Sequence, residues 1–167
     1  MNMDQLLNGV VALAALAWIL GKQMRPGPVR ERSLMPFLFL AAGLVQVLRL
    51  ALKTPLPLSD VAVLAGSLAV GCALGVARAY SMRLWEHDGA AWRQGGWLNA
   101  TLWLVSLGLH LGSDLLLHTP DLGQVSLLAH LGAVVLVQRE VLLLRARTAG
   151  LTPAPREARQ RRRAQQG

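Results

Sequence analysis

Charged side chains are missing from five stretches of the chain: residues 5–21, 33–48, 61–77, 94–113 and 122–138. Within them apolar residues occupy nearly every helical face, whereas a soluble amphipathic helix keeps a broad polar stripe. Each run is about 16–20 residues long. At about 1.5 Å per residue that approaches a hydrocarbon core of roughly 30 Å, and flanking arginines can extend it by snorkelling. The pattern predicts an all-α membrane protein, a five-helix transmembrane bundle with spans at about 5–21, 34–52, 61–79, 97–117 and 122–144. These form one transmembrane domain, residues 1–147. Residues 148–167, dominated by Pro, Ala, Gln and Arg, read as a disordered basic tail.

The joints carry matching signals. Pro26-Gly27-Pro28 breaks the chain after the first span and holds the next segment extended. Pro36 falls in the first turn of the second span, where a missing N–H is harmless. Thr54-Pro55-Leu56-Pro57 makes a short turn, with Ser59 or Asp60 as the cap of the third span. His118-Thr119-Pro120-Asp121 joins the fourth and fifth spans as an antiparallel pair. Between the third and fourth, about residues 81–94, the order changes from helical to alternating. Asp88-Gly89 is a two-residue hairpin turn signal, which would set Trp85 opposite Trp92. With Trp97, these indoles also fit an aromatic belt at a membrane interface.

Charge adds orientation. The net charge is +8, and of the 17 Lys and Arg all but Arg49 and Lys53 fall on one side once the loops alternate. By the positive-inside rule this predicts an N-out/C-in topology, with the hairpin and the tail cytoplasmic. The first span lacks the preceding positive charge of a secretory signal and is expected to be retained. Arg159, Arg161, Arg162 and Arg163 in the tail are expected to lie against anionic lipid headgroups. No folded aromatic platform accompanies that charge, so nucleic acid is not an expected partner. The lone Cys72 offers neither a disulfide nor a Cys-x-x-Cys redox pair.

Small residues predict how the helices meet, because close backbone approach drives association in lipid. Ser67, Gly71, Gly75 and Ala79 recur every fourth residue, and Gly108-x-x-x-Gly112 makes a second small face. Either could pack within the chain, in a homo-oligomer or against another membrane protein.

Polar groups inside the apolar runs are the candidate functional residues, since each is costly in lipid. Asn99, Trp103, Ser106, His110 and Ser113 fall on one helical face, with Asp114 one turn past His110. The second span contributes Gln46 and Arg49, the fifth Ser126 and His130. Counting from the span ends puts His110 and His130 at one depth and Arg49 and Asp114 at another. Three readings follow. One is a satisfied structural network with an Arg49–Asp114 pair. Another is a proton or small-solute relay through the histidines. The third is a haem b ligated by His110 and His130. No nucleophile elbow, phosphate-cradling glycine loop or metal-ligand cluster is present, which argues against an enzyme and for binding or scaffolding.

Several segments also form a resemblance. Arg25-Pro-Gly-Pro-Val-Arg30 leads into Ser33-Leu-Met-Pro36. Gly71-x-x-x-Gly75-Val-Ala-Arg78-Ala79 follows. Arg83-Leu-Trp85 then runs through Asp88-Gly89 to Trp92-Arg-Gln-Gly95 and Thr101-Leu-Trp103. Over roughly residues 20–145 the chain resembles small, largely uncharacterised bacterial integral membrane proteins related to the CcdC-like family, named for cytochrome c biogenesis. The resemblance implies a multi-pass protein of the bacterial cytoplasmic (inner) membrane and a link to cytochrome maturation.

Overall fold

The computed structural model describes residues 21, 23–31 and 33–153. Among these, four helices and a small sheet form: α1 (Met35–Ala51), α2 (Leu58–Ser81), α3 (Trp97–Ser113) and α4 (Leu122–Thr148), with strands β1 (Gly27–Pro28), β2 (Arg83–His87) and β3 (Ala90–Gln94). The expectation of an all-α, five-span bundle is therefore corrected. Among the described residues only α2 and α4 are long and apolar enough to cross a membrane. The 17 residues of α1 and of α3 rise about 26 Å, short of a roughly 30 Å core. The first expected span lies almost wholly outside the described residues, and the N-out/C-in topology counted on five spans loses its basis. Absence of charge marks where a chain is apolar, but it does not set where a helix stops. Here α1 ends in the turn before Pro55, and α3 tightens into a 3-10 turn at Asp114–Leu116.

The hairpin between α2 and α3 forms with Trp85 opposite Trp92, their ring centroids 6.5 Å apart. Asp88 and Gly89 both take positive φ, 51° and 68°, the geometry of a two-residue turn. A third strand joins it: β1 pairs antiparallel with β3, Gly27 opposite Arg93 and Pro28 opposite Trp92. Sheet order is β1-β3-β2. Residues after α4 complete this layer. Gly150, at φ 71°, ends the helix, with Leu151 N–H donating to Ala146 O at 2.8 Å and Gly150 N–H to Arg147 O at 3.0 Å. That is a Schellman turn, and its Leu151 packs on the cluster of Val29, Ala91, Leu143 and Ala146. Ala91 N–H then donates to Thr152 O at 2.7 Å. The basic tail, from residue 154 on, lies outside the described residues.

All four helices begin or end beside the sheet, so the molecule has a sheet end and a far end. At the centre is α4, packed on α1 along one side and on α2 along the other, while α3 packs mainly on α2. Where α1 crosses α4 the backbones touch. A Cβ on Gly43 would meet the backbone N of Ala129 and stand 2.5 Å from its Cα. On Gly132 it would meet the backbone N of Leu40 and stand 2.7 Å from its Cα and 2.9 Å from Pro36 O. Two reciprocal glycines thus set this interface.

The distribution of polarity is inverted relative to a soluble domain. Leu38, Leu48, Leu68, Val70, Leu104 and Leu109 are among the many exposed apolar side chains, whereas Arg78, Asn99, Ser106, His110, Ser126, His130 and Gln138 are buried. Within their most apolar windows only 17% of α2 and 33% of α4 is buried, which is not how the core helix of a soluble protein is covered.

Candidate functional site: a polar column between α2, α3 and α4

The small-residue stripe of α2 faces the interior. Gly71 leaves room for His130, whose Cε1 would lie 2.5 Å from a Cβ there, and a Cβ on Gly75 would lie 3.0 Å from Val134 O. Ala79 is fully buried. Ser67, at the head of the stripe, lies 3.5 Å from His110 Nδ1 and accepts from the Ser113 hydroxyl at 3.4 Å. In contrast, no described residue lies within 4 Å of a Cβ on Gly108 or Gly112 of α3, so those two glycines do not pack against the other described helices.

Three levels follow along the column. At the far end Asp60 is fully buried in the first turn of α2. It does not cap that helix. Its Oδ2 accepts from Thr119 N–H at 2.9 Å and Thr119 Oγ1 at 2.6 Å, and its Oδ1 from His118 N–H at 3.1 Å, with His118 Nδ1 also at 3.1 Å. One carboxylate thereby ties the start of α2 to the α3–α4 turn, replacing the caps that neither α2 nor α4 has.

At the middle level His110 and His130 meet face to face, ring centroids 4.3 Å apart and planes 34° to one another. His110 Nε2 lies 3.3 Å from Gly123 O, while His130 Nε2 has no hydrogen-bond partner among the described residues. This arrangement does not fit a haem held between the two residues. Opposed axial histidines stand apart by two metal–nitrogen bonds, about 4 Å from nitrogen to nitrogen, and their ring centroids farther still. Rings in contact, against Gly71 on α2, leave no slot for a macrocycle. Among the described residues no cluster of three metal-ligating side chains occurs.

At the sheet-end level Arg78 is fully buried, its guanidinium 4.2 Å from the centroid of the Trp103 ring. Among the described residues no hydrogen-bond partner reaches Arg78 Nε, Nη1 or Nη2, either polar atom of the Asn99 amide, Trp103 Nε1 or Gln138 Oε1. Gln138 Nε2 and Arg93 Nη1 both approach the Met82 sulfur, at 3.7 and 3.4 Å. Arg93 also donates to Gln23 Oε1 at 3.1 Å, and burial together with the neighbouring Arg30 charge holds its guanidinium pKa below the usual value.

The structure thus brings together His110 and His130, with Ser106 buried one turn from His110 and the Asp114 carboxylate over Gly123, whose carbonyl faces His110, whereas Gln46 and Arg49 lie on α1. Arg49 and Asp114 are exposed and form no ion pair with each other. Gln46 is half-buried on α1, away from the column. Of the interface aromatics, Trp97 is 78% exposed while Trp85 and Trp92 lie half-buried in the sheet. Sequence reasoning missed Asp60, Arg78 and Gln138. Gln138 did carry a signal, being one turn from Val134 and two turns from His130 on the same face.

Compared with protein-family models, curated proteins and solved structures, the chain matches none.

Proposed function

We propose that this chain is a multi-pass membrane protein that binds a small polar solute inside its helix bundle. The observation that carries this is the inverted polarity together with the unpaired buried groups. A buried polar atom without a partner costs about 1–3 kcal/mol, and more when charged. Seven such atoms at Arg78, Asn99, Trp103 and Gln138 mark a place where something polar completes the structure. In this reading α2 and α4 cross the bilayer, and α1 and α3 lie alongside over most of the same depth. The sheet end, with Arg25, Arg30, Arg83, Arg93, Arg145 and Arg147, faces the cytoplasm. The far end carries only Arg49 and Lys53. The resemblance to CcdC-like proteins favours the bacterial inner membrane, although no thiol pair here supports a step in cytochrome maturation.

A cysteine-labelling experiment tests the membrane part. In a Cys72→Ala background, Lys53→Cys should react with an impermeant maleimide in intact cells, and Asp88→Cys only after permeabilisation. Equal labelling of both would refute the crossing. For the binding part, purified protein in detergent is screened with acetate, acetamide and ammonium salts by thermal unfolding. A flat response to all three would refute it.

One observation favours a second reading, proton transfer through the interior: the stacked histidines are continuous with Ser67 and Ser113. Proteoliposomes with a trapped pH dye would report it, and His130→Asn should abolish the signal while leaving solute-dependent stabilisation in place.

A further inference from the structure

Resting on the reading of the interior as a binding site, the sheet-end level identifies its ligand class. We propose that Arg78, Asn99, Trp103 and Gln138 form a site for a small monovalent carboxylate.

Parallel helices bring these residues to one depth. Gly75 of α2 touches Val134 of α4. One turn nearer the sheet come Arg78 on the first helix and Gln138 on the second, and Met82, the extended residue that follows α2, closes the level by its contact with Gln138. From the antiparallel α3, Trp103 lies beneath the guanidinium, and Asn99 is one turn closer to the sheet on the same face.

The chemistry of the level is one-sided. An arginine stays protonated at all working pH values, so this buried charge calls for a negative partner. Among the described residues no carboxylate pairs with it. Among the described residues the ion-paired acids are Asp60 at the far end, Glu31 with Arg147, Glu140 with Arg139 and Asp88 with His87. One uncompensated cation selects a single negative charge. The planar fork of a guanidinium matches a carboxylate in two parallel hydrogen bonds, while its face is already taken by Trp103. The unpaired Asn99 amide and Trp103 indole N–H supply further donors. Access is built in at the same end. An open groove of about 560 Å³ is lined by Tyr80, Met82, Arg83, Arg145 and Leu151. Two arginines at its walls draw anions, and Met82, a flexible thioether, separates it from Gln138.

The test uses the full chain in detergent, with sodium acetate titrated against sodium sulfate at constant ionic strength and acetamide as the neutral isostere. Acetate should raise the unfolding temperature saturably, by about 3–6 °C at ten times its Kd. Acetamide should not. Arg78→Met should abolish the acetate shift while leaving the ligand-free protein at least as stable, because it removes an unpaired buried charge. If that variant does not fold, Gln138→Glu serves. It supplies the carboxylate from the chain itself, so it should unfold above wild type without acetate and no longer respond to it. Arg49→Gln, exposed at the far end, should keep the full shift. An acetate shift that survives both Arg78→Met and Gln138→Glu would overturn the site. Equal shifts with acetate and acetamide would overturn the ligand class and leave the interior binding reading intact. No shift with either, or with an ammonium salt, would overturn both.

Discussion

Replacing Gly43 by alanine tests the packing on which the whole bundle depends. The added Cβ would sit 2.5 Å from Ala129 Cα and 2.7 Å from its Cβ, where ordinary contact begins near 3.4 Å. The obstructing atoms are largely backbone, so no side chain can rotate away. Helices α1 and α4 have to separate by about 1 Å. A gap of that size forfeits a quarter to a half of each dispersion contact across the interface, and this is the most extensive interface among the described helices. Overpacking of this kind costs about 1–3 kcal/mol. With no flexible neighbour to absorb it, we expect the upper part of that range, a fall of roughly 5–10 °C in unfolding temperature.

The assay is far-ultraviolet circular dichroism of purified protein in a mild detergent, heated at a fixed rate. Gly132→Ala should behave similarly, since its Cβ meets Leu40 and Pro36 backbone. The double variant should lose less than the sum of the two, because one separation of the helices relieves both clashes. Wild-type unfolding for Gly43→Ala, or strict additivity in the double variant, would refute the close crossing.

Three further outcomes follow from the same geometry. Gly108→Ala and Gly112→Ala, with open space around each, should leave stability unchanged or raise it by about 0.5–1 kcal/mol, as alanine does in an unobstructed helix; a large loss would show that this face is occupied. Asp60→Asn replaces an acceptor-only group with an amide whose NH₂ points at donors from Thr119 or His118. It should lower the unfolding temperature and raise proteolysis at the α3–α4 turn, and an unaltered digestion pattern would count against the clamp. Gly89→Val places a β-branched residue at φ 68°, so hydrogen exchange in Arg83–Gln94 should quicken while α1–α4 exchange stays slow; uniform loss of protection would mean the sheet and the bundle do not unfold separately.

Different parts of this architecture were legible to different degrees. The hairpin was readable because its signal is local: Asp88-Gly89 selects a turn, the turn fixes register, and register pairs Trp85 with Trp92. The buried face of α3 was readable because Asn99, Trp103, Ser106 and His110 recur at helical spacing. The span count was not, since hydropathy alone cannot say where α1 and α3 stop. Strand β1 was hidden for another reason: a two-residue strand containing Pro28 has no period of its own and exists only because β3 offers it an edge. The expected Arg49–Asp114 pair failed because equal depth says nothing about rotation about the helix axis: Arg49 is exposed on α1, while the Asp114 carboxylate lies over Gly123 of α4.

Arg78 and Asp60 show where sequence reasoning changes sign. Each stands near the end of an apolar run, where an arginine reads as a topological marker and an aspartate as a cap. In the folded chain both are fully buried, at opposite ends of α2. Their surroundings differ in one decisive respect. The carboxylate collects donors from His118 and Thr119 and is complete, whereas the guanidinium has no acceptor among the described residues. Had both been structural, the same economy would apply at each end, since a buried cation is no cheaper to leave unpaired than a buried anion. The far end is therefore a closed joint. On the proposed reading, the sheet end, beside the open groove and with Arg83 and Arg145 at its walls, is where the interior of the bundle would exchange a charged ligand with its surroundings.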